Sequence, residues 1–143
     1  MSLVYFDSSA FVKLLVEEDG STVAADLWDG CAAPLSSRLA YPEVRAALAA
    51  AGRSGRLSRA QLARAEADWE DIWSAVRPVE LTDAVTSHAG QLASDHALRG
   101  ADAVHLASLL AIGVREAIFA VWDERLRGGG NAVGARLAPR GEG

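Results

Sequence analysis

Two short apolar runs in this chain each stop at an aspartate, and that pairing constrains the fold more than any other feature. Leu3-Val4-Tyr5-Phe6 ends at Asp7, and a run over residues 117–122 ends at Asp123. Short apolar runs bounded by cap and turn residues read as strands buried on both faces. Such strands need a layer of helices above and below them. The intervening segments supply those layers. Phe11, Leu14 and Leu15 recur at helical spacing after the Asp7-Ser8-Ser9 cap, and Val23, Ala24, Leu27 and Trp28 do so after Ser21. A second strand is expected over residues 32–35, with Ser36-Ser37 capping a long alanine-rich helix to Ala51 that Pro42 either begins or bends.

The second half repeats the alternation. Ser58-Arg59-Ala60-Gln61 has the capping-box pattern. It predicts a helix to about Val76, with Leu62, Ala65, Trp69 and Trp73 on one side. A short strand is expected over residues 78–81, then a helix capped by Thr82 or Asp83 and broken by Arg99-Gly100. Residues 101–112 are apolar on most of a helical surface, as in a buried helix. After Asp123 the pattern predicts a short helical turn, Gly128-Gly129-Gly130 as a flexible stop, and one edge strand near residues 135–137. The expected fold is therefore a single α/β domain over residues 1–143: a three-layer α/β/α sandwich with a short, mostly parallel sheet.

Composition narrows the function classes. The single cysteine, Cys31, excludes an internal disulfide framework and a cysteine zinc site. A formal net charge of −5 does not suit a protein that coats nucleic acid by bulk charge. It leaves room for a nuclease, because bound cations reverse the local sign of an acidic site. No stretch approaches the roughly 18 consecutive apolar residues of a membrane span. The N-terminus lacks the pattern of a secretory signal, so a cytoplasmic location is expected.

In open parallel sheets ligands sit beyond the carboxyl ends of the strands. Asp7 and Asp123 stand there. Glu43 lies early in the helix after the second strand, and Asp102 in the first turn of the buried helix. Taken singly, each has a plain structural role as a cap, first-turn or turn residue. Together at one rim they would repel one another unless a cation neutralised them. Hard oxygen ligands without clustered histidines suit Mg²⁺ or Mn²⁺. Other acidic-site readings fail on particular positions. A haloacid-dehalogenase-type phosphatase needs a second aspartate where Ser9 stands. A response-regulator receiver needs a lysine near its far strand, and the only lysine is Lys13. No glycine-rich phosphate turn follows the first strand. His105, one turn after Asp102, reads as a packed or supporting histidine.

Four segments resemble a known family. Tyr5-Phe6-Asp7-Ser8-Ser9-Ala10-Phe11-Val12-Lys13-Leu14 is similar to the opening of PIN-domain ribonucleases, especially toxins of the VapC type. Ser36-Ser37-Arg38-Leu39-Ala40-Tyr41-Pro42-Glu43-Val44-Arg45 resembles their second motif and Leu98-Arg99-Gly100-Ala101-Asp102-Ala103-Val104-His105 their third. Val121-Trp122-Asp123-Glu124-Arg125-Leu126 resembles the fourth. The resemblance implies that Asp7, Glu43, Asp102 and Asp123 are the catalytic, metal-binding acids, with Ser9, Lys13 and Arg45 as auxiliaries. It implies an Mg²⁺- or Mn²⁺-dependent endoribonuclease, the toxin of a bacterial toxin–antitoxin pair, whose metal activates water to cut RNA and leave a 5′-phosphate. It also implies a cognate antitoxin and a homodimer, for which Trp69 and Trp73 are candidate anchors. Arg53, Arg56, Arg59 and Arg64 form either an RNA-contacting stripe or a solvated face. One departure stands out: Val121 occupies a position where the family often has Thr or Ser. It supports a second reading, a catalytically impaired PIN-like module that binds RNA or protein.

Overall fold

The computed structural model describes residues 1–141. Five strands form one sheet: β1 (Leu3–Phe6), β2 (Ala33–Ser37), β3 (Arg77–Val79), β4 (Ala117–Ala120) and β5 (Arg136–Ala138). Their order is β3-β2-β1-β4-β5, and all four neighbouring pairs are parallel. Seven helices among the described residues cover it: α1 (Ser8–Leu15), α2 (Ser21–Gly30), α3 (Ala40–Arg53), α4 (Arg59–Ala75), α5 (Asp83–His96), α6 (Gly100–Ile112) and α7 (Glu124–Ala132).

Period-two alternation along the central strands splits the core into two layers. Val4, Phe6 and Ala120 face α1, α3 and α4, in a cluster with Phe11, Val44, Leu48 and Trp69. Tyr5, Ala117, Phe119 and Val121 face α5, α6 and α7, in a cluster with Leu92, Leu106, Leu109 and Leu126. The chain fills one side of β1 with β2 and β3, then returns to the other side with β4 and β5. The strand order therefore reverses between β1 and β4, where a crevice opens at the carboxyl edge.

Several expectations shift in detail. Ser36 and Ser37 belong to β2 and not to a helix cap, and α3 starts without a side-chain cap. Pro42 sits in the first turn of α3, where its missing N–H costs nothing. Helix α5 ends on Ala97, which takes a left-handed conformation (φ 52°), so Gly100 is free to open α6. The glycine run is the largest correction. Gly128, Gly129 and Gly130 lie inside α7 and do not end it. A Cβ on Gly130 would meet Leu137 Cδ2 at 2.9 Å and Phe119 Cδ2 at 3.3 Å, and one on Gly129 would meet Leu106 Cδ2 at 3.2 Å. The absent side chains let α7 lie close on β4, β5 and α6. Trp69 is also corrected: it is fully buried in its own core, stacked on Tyr41 and packed against the tilted rings of Phe11 and Trp73, and cannot anchor a partner. Trp73 is partly exposed.

Candidate active site

The carboxyl edge between β1 and β4 gathers the acids. Asp7 follows β1 directly and caps α1, its Oδ1 accepting from the Ala10 N–H at 2.8 Å. It is only 4% exposed. Burial pushes its carboxyl up to about 6, helped by Asp102 and Glu43 and opposed by His105 and the Ala10 N–H. Glu43 comes from the first turn of α3 and Asp102 from the first turn of α6. All three acids line one depression of about 240 Å³, together with Ser8, Ser9, Arg99, Ala101 and His105.

Asp123 caps α7, with its Oδ1 accepting from the Leu126 N–H at 2.9 Å. It lines an adjoining depression with Arg99, Glu124 and Arg125. Arg99 joins the two. Its Nε donates to Asp102 Oδ2 at 3.0 Å, and its Nη2 lies 4.0 Å from Asp123 Oδ2. The sequence does not single out Arg99 as a site residue, although its position three residues before Asp102 at a helix start is the signal for this pair.

Glu43 is the most tightly held of the four. Its Oε1 accepts from Ser8 Oγ at 2.5 Å and from His105 Nε2 at 2.7 Å. Half-burial pushes the Glu43 carboxyl up, but the hydrogen bonds from His105 and Ser8, the His105 charge and Arg99 outweigh it. The carboxyl sits below the usual range. His105 is buried, and its Nδ1 meets the buried Tyr5 hydroxyl at 2.8 Å. Burial drives the Tyr5 phenol far above its ordinary value, so it keeps its proton. Ser8 and Tyr5 escape the sequence reading because their partners are 35 and 100 residues away.

The auxiliaries fare differently. Ser9 stands exposed on the rim. Lys13 turns away, bonded to Glu18 at 3.1 Å with its Nζ 5.2 Å from the Trp122 ring centre. Arg45 is held by Glu66 at 3.3 Å and Glu70 at 3.1 Å on α4. Neither reaches the acids, because each finds a closer carboxylate on its own flank. Arg56 and Arg64 likewise pair, with Glu18 and Asp68. Val121 is fully buried in the apolar cluster below the rim.

The donor set fits a hard divalent cation. Among the described residues no three His, Cys, Asp or Glu side chains are drawn together as a finished cage. Three carboxylates nevertheless share one small depression, and every protein hydrogen bond to Glu43 falls on Oε1, leaving Oε2 without a donor among the described residues. Arg99 already supplies positive charge against Asp102.

Residues 4–126 match the family model described as the PIN domain. The chain belongs to the PIN-domain family. Its similarity extends to named members. It is 66% identical over 139 residues to ribonuclease VapC45 of Mycobacterium tuberculosis (strain CDC 1551 / Oshkosh), covering 97% of this chain and 96% of that protein. The figures for ribonuclease VapC49 of M. tuberculosis (strain ATCC 25618 / H37Rv) are the same. Among solved structures, the PIN-domain fold here is similar to that of M. tuberculosis VapC20, a sarcin–ricin-loop-cleaving toxin. That match has a TM-score of 0.68 and 18% identity, over 94% of this chain and 96% of the other. It is also similar to VapBC2 of Rickettsia felis bound to a promoter DNA fragment. There the TM-score is 0.64 with 10% identity, over 94% and 96% of the two chains. No helix among the described residues is long and apolar enough to cross a membrane.

Proposed function

We propose that this PIN-domain protein is a VapC-type ribonuclease, the toxin of a toxin–antitoxin pair, acting on RNA in the cytoplasm with Mg²⁺ or Mn²⁺. The observation that carries the reading is the convergence of Asp7, Glu43 and Asp102 on one depression at the strand-order reversal, with Asp123 beside it. These four carboxylates would hold the cation. A bound divalent cation supplies Lewis-acid charge at the phosphate and activates water at neutral pH. The chain's own residues do the rest. Asp7, fixed by the α1 N-terminus, presents a buried charge at the base of the depression. Glu43 is oriented by Ser8 and His105. Arg99 lies at the mouth, 72% exposed, where an RNA phosphate can replace Asp102 as its partner.

The active-enzyme reading gains from the position of Val121. Its side chain is buried in the apolar cluster and absent from the lining of the depression, so its lack of a hydroxyl favours the active enzyme over an impaired binding module. The partners follow from the same reading: an antitoxin that covers the acidic edge, and a second copy of this chain. RNA cleavage should require Mn²⁺ or Mg²⁺, stop with EDTA, and fall at least tenfold in Asp7→Asn and Asp102→Asn. Cleavage that survives EDTA and both substitutions would remove the metal-dependent site.

A further inference from the structure

We propose that His105 is the positioning residue of the site, the centre of a hydrogen-bond relay that turns Glu43 so that one carboxylate oxygen is tied to protein and the other is presented to the cation. The inference rests on the metal-dependent reading above.

Four elements meet on this contact. Tyr5 comes from β1, Ser8 from α1, Glu43 from α3 and His105 from α6. The direction of the bond to Glu43 follows from donor inventory. An ionised Glu43 only accepts, so the 2.7 Å contact requires a proton on His105 Nε2. The other ring nitrogen, Nδ1, lies 2.8 Å from the Tyr5 hydroxyl, a group that can both donate and accept and so partners it in any proton arrangement that leaves the proton on Nε2. Tyr5, His105 and Glu43 thus form a continuous hydrogen-bonded relay that ends on one Glu43 oxygen. Ser8 Oγ adds a second donor to the same Oε1 and lies 3.1 Å from Nε2.

Burial makes the relay rigid. Tyr5 and His105 are 0% and 2% exposed, and the Tyr5 and His105 rings pack edge to face with centres 5.9 Å apart. A histidine this deep is not needed for solubility, and an apolar residue would fill the same volume beside Leu106 and Leu109. The imidazole earns its place by its two nitrogens, each matched to one partner. Groups that orient a ligating carboxylate usually matter 10–100-fold for metal affinity when removed.

The full chain is titrated with Mn²⁺ by calorimetry, as wild type and as His105→Leu, His105→Gln and Tyr5→Phe, with thermal melting in EDTA to establish folding. His105→Leu should bind Mn²⁺ about 10–100-fold more weakly. His105→Gln, whose amide N–H can reach Glu43, should restore affinity to within about threefold of wild type, which a purely packing role would not predict. Equal affinity in wild type and a folded His105→Leu would overturn the inference. Should His105→Leu not fold, Tyr5→Phe decides: a several-fold loss of affinity supports the relay and an unchanged affinity overturns it. Long-range ¹H–¹⁵N NMR of the metal-free chain gives a readout independent of metal. A proton on His105 Nε2 is expected, and an Nε2 without a proton would overturn the relay. Wild type that cleaves RNA without binding Mn²⁺ would defeat the metal reading alone, with the NMR result still deciding the relay.

Discussion

Arg99 Nε lies 3.0 Å from Asp102 Oδ2, so a side chain of this protein holds an oxygen that the proposed cation would also use. The pair is exposed on the arginine side, and such pairs are worth about 0.2–1 kcal/mol. Arg99→Gln removes the competitor. Mn²⁺ should then bind tighter by a factor of roughly 1.5–5. RNA binding in the absence of cleavage should weaken, since the proposed phosphate contact is lost. Calorimetry with Mn²⁺ and a filter-binding assay read the two effects separately. Weaker Mn²⁺ binding in Arg99→Gln would mean that Arg99 supports the site and does not compete for it.

Asp7 gives a pH signature to the metal-free fold. Its folded carboxyl is pushed up to about 6 from an ordinary 3.8, so ionisation works against the native state. Stability from this group is highest below the ordinary value, declines as pH rises from 3.8 to about 6, and stays low above. The full penalty is of order 3 kcal/mol. Asp7→Asn keeps an oxygen for the Ala10 N–H and removes the charge. In EDTA at pH 7.5 it should melt higher than wild type, and the difference should shrink steadily toward pH 4. A variant that melts lower than wild type across the whole range would show that the carboxylate stabilises the fold.

Helix α7 tests the glycine run. Nothing lies within 4 Å of a Cβ placed on Gly128, whereas Gly130 is crowded by Leu137 and Phe119. Gly128→Ala should stabilise by about 0.5–1 kcal/mol through helix propensity. Gly130→Ala forfeits that gain to overpacking, which costs about 1–3 kcal/mol, and should end near neutral or destabilised. Urea denaturation of both variants decides it. Equal stabilisation by both would mean that α7 does not sit as close to the sheet as described.

The two aspartates at strand ends were legible because the strands are short, apolar and followed at once by the acid. Parallel-sheet topology then places such acids at one edge without any knowledge of packing. The capping box at Ser58 and Gln61 was equally local, and it forms as expected. What sequence could not decide was which neighbour a long side chain would choose. Lys13 and Arg45 lie close to acids in the chain, yet their partners are Glu18, Glu66 and Glu70. Trp69 has the same helical spacing as Trp73, yet Trp69 is fully buried and Trp73 only partly so, a difference that spacing does not encode. The glycines of α7 carried a helix-breaking propensity that close packing overrides, and propensity alone holds no information about that packing. The relay through His105 joins residues 5, 8, 43 and 105, a set with no sequence period.

Val121 and Asp123 are two residues apart and should respond in opposite ways. The Val121 side chain is fully buried with Leu106, Phe119 and Leu126. Val121→Thr puts a hydroxyl in that cluster, where an unpartnered polar group costs about 1–3 kcal/mol. It should melt several degrees lower and cleave RNA at an unchanged rate per folded molecule. Asp123→Asn is the reverse. The amide oxygen can still cap α7 at the Leu126 N–H, so stability should stay within about 0.5 kcal/mol. A charged oxygen donor leaves the site edge, and cleavage should fall tenfold or more while Arg99 loses one of its two carboxylate neighbours. The assay is initial cleavage rate under saturating Mn²⁺ alongside a melting curve for each variant. A faster Val121→Thr would place residue 121 at the site after all, and an undiminished Asp123→Asn would leave the site to Asp7, Glu43 and Asp102.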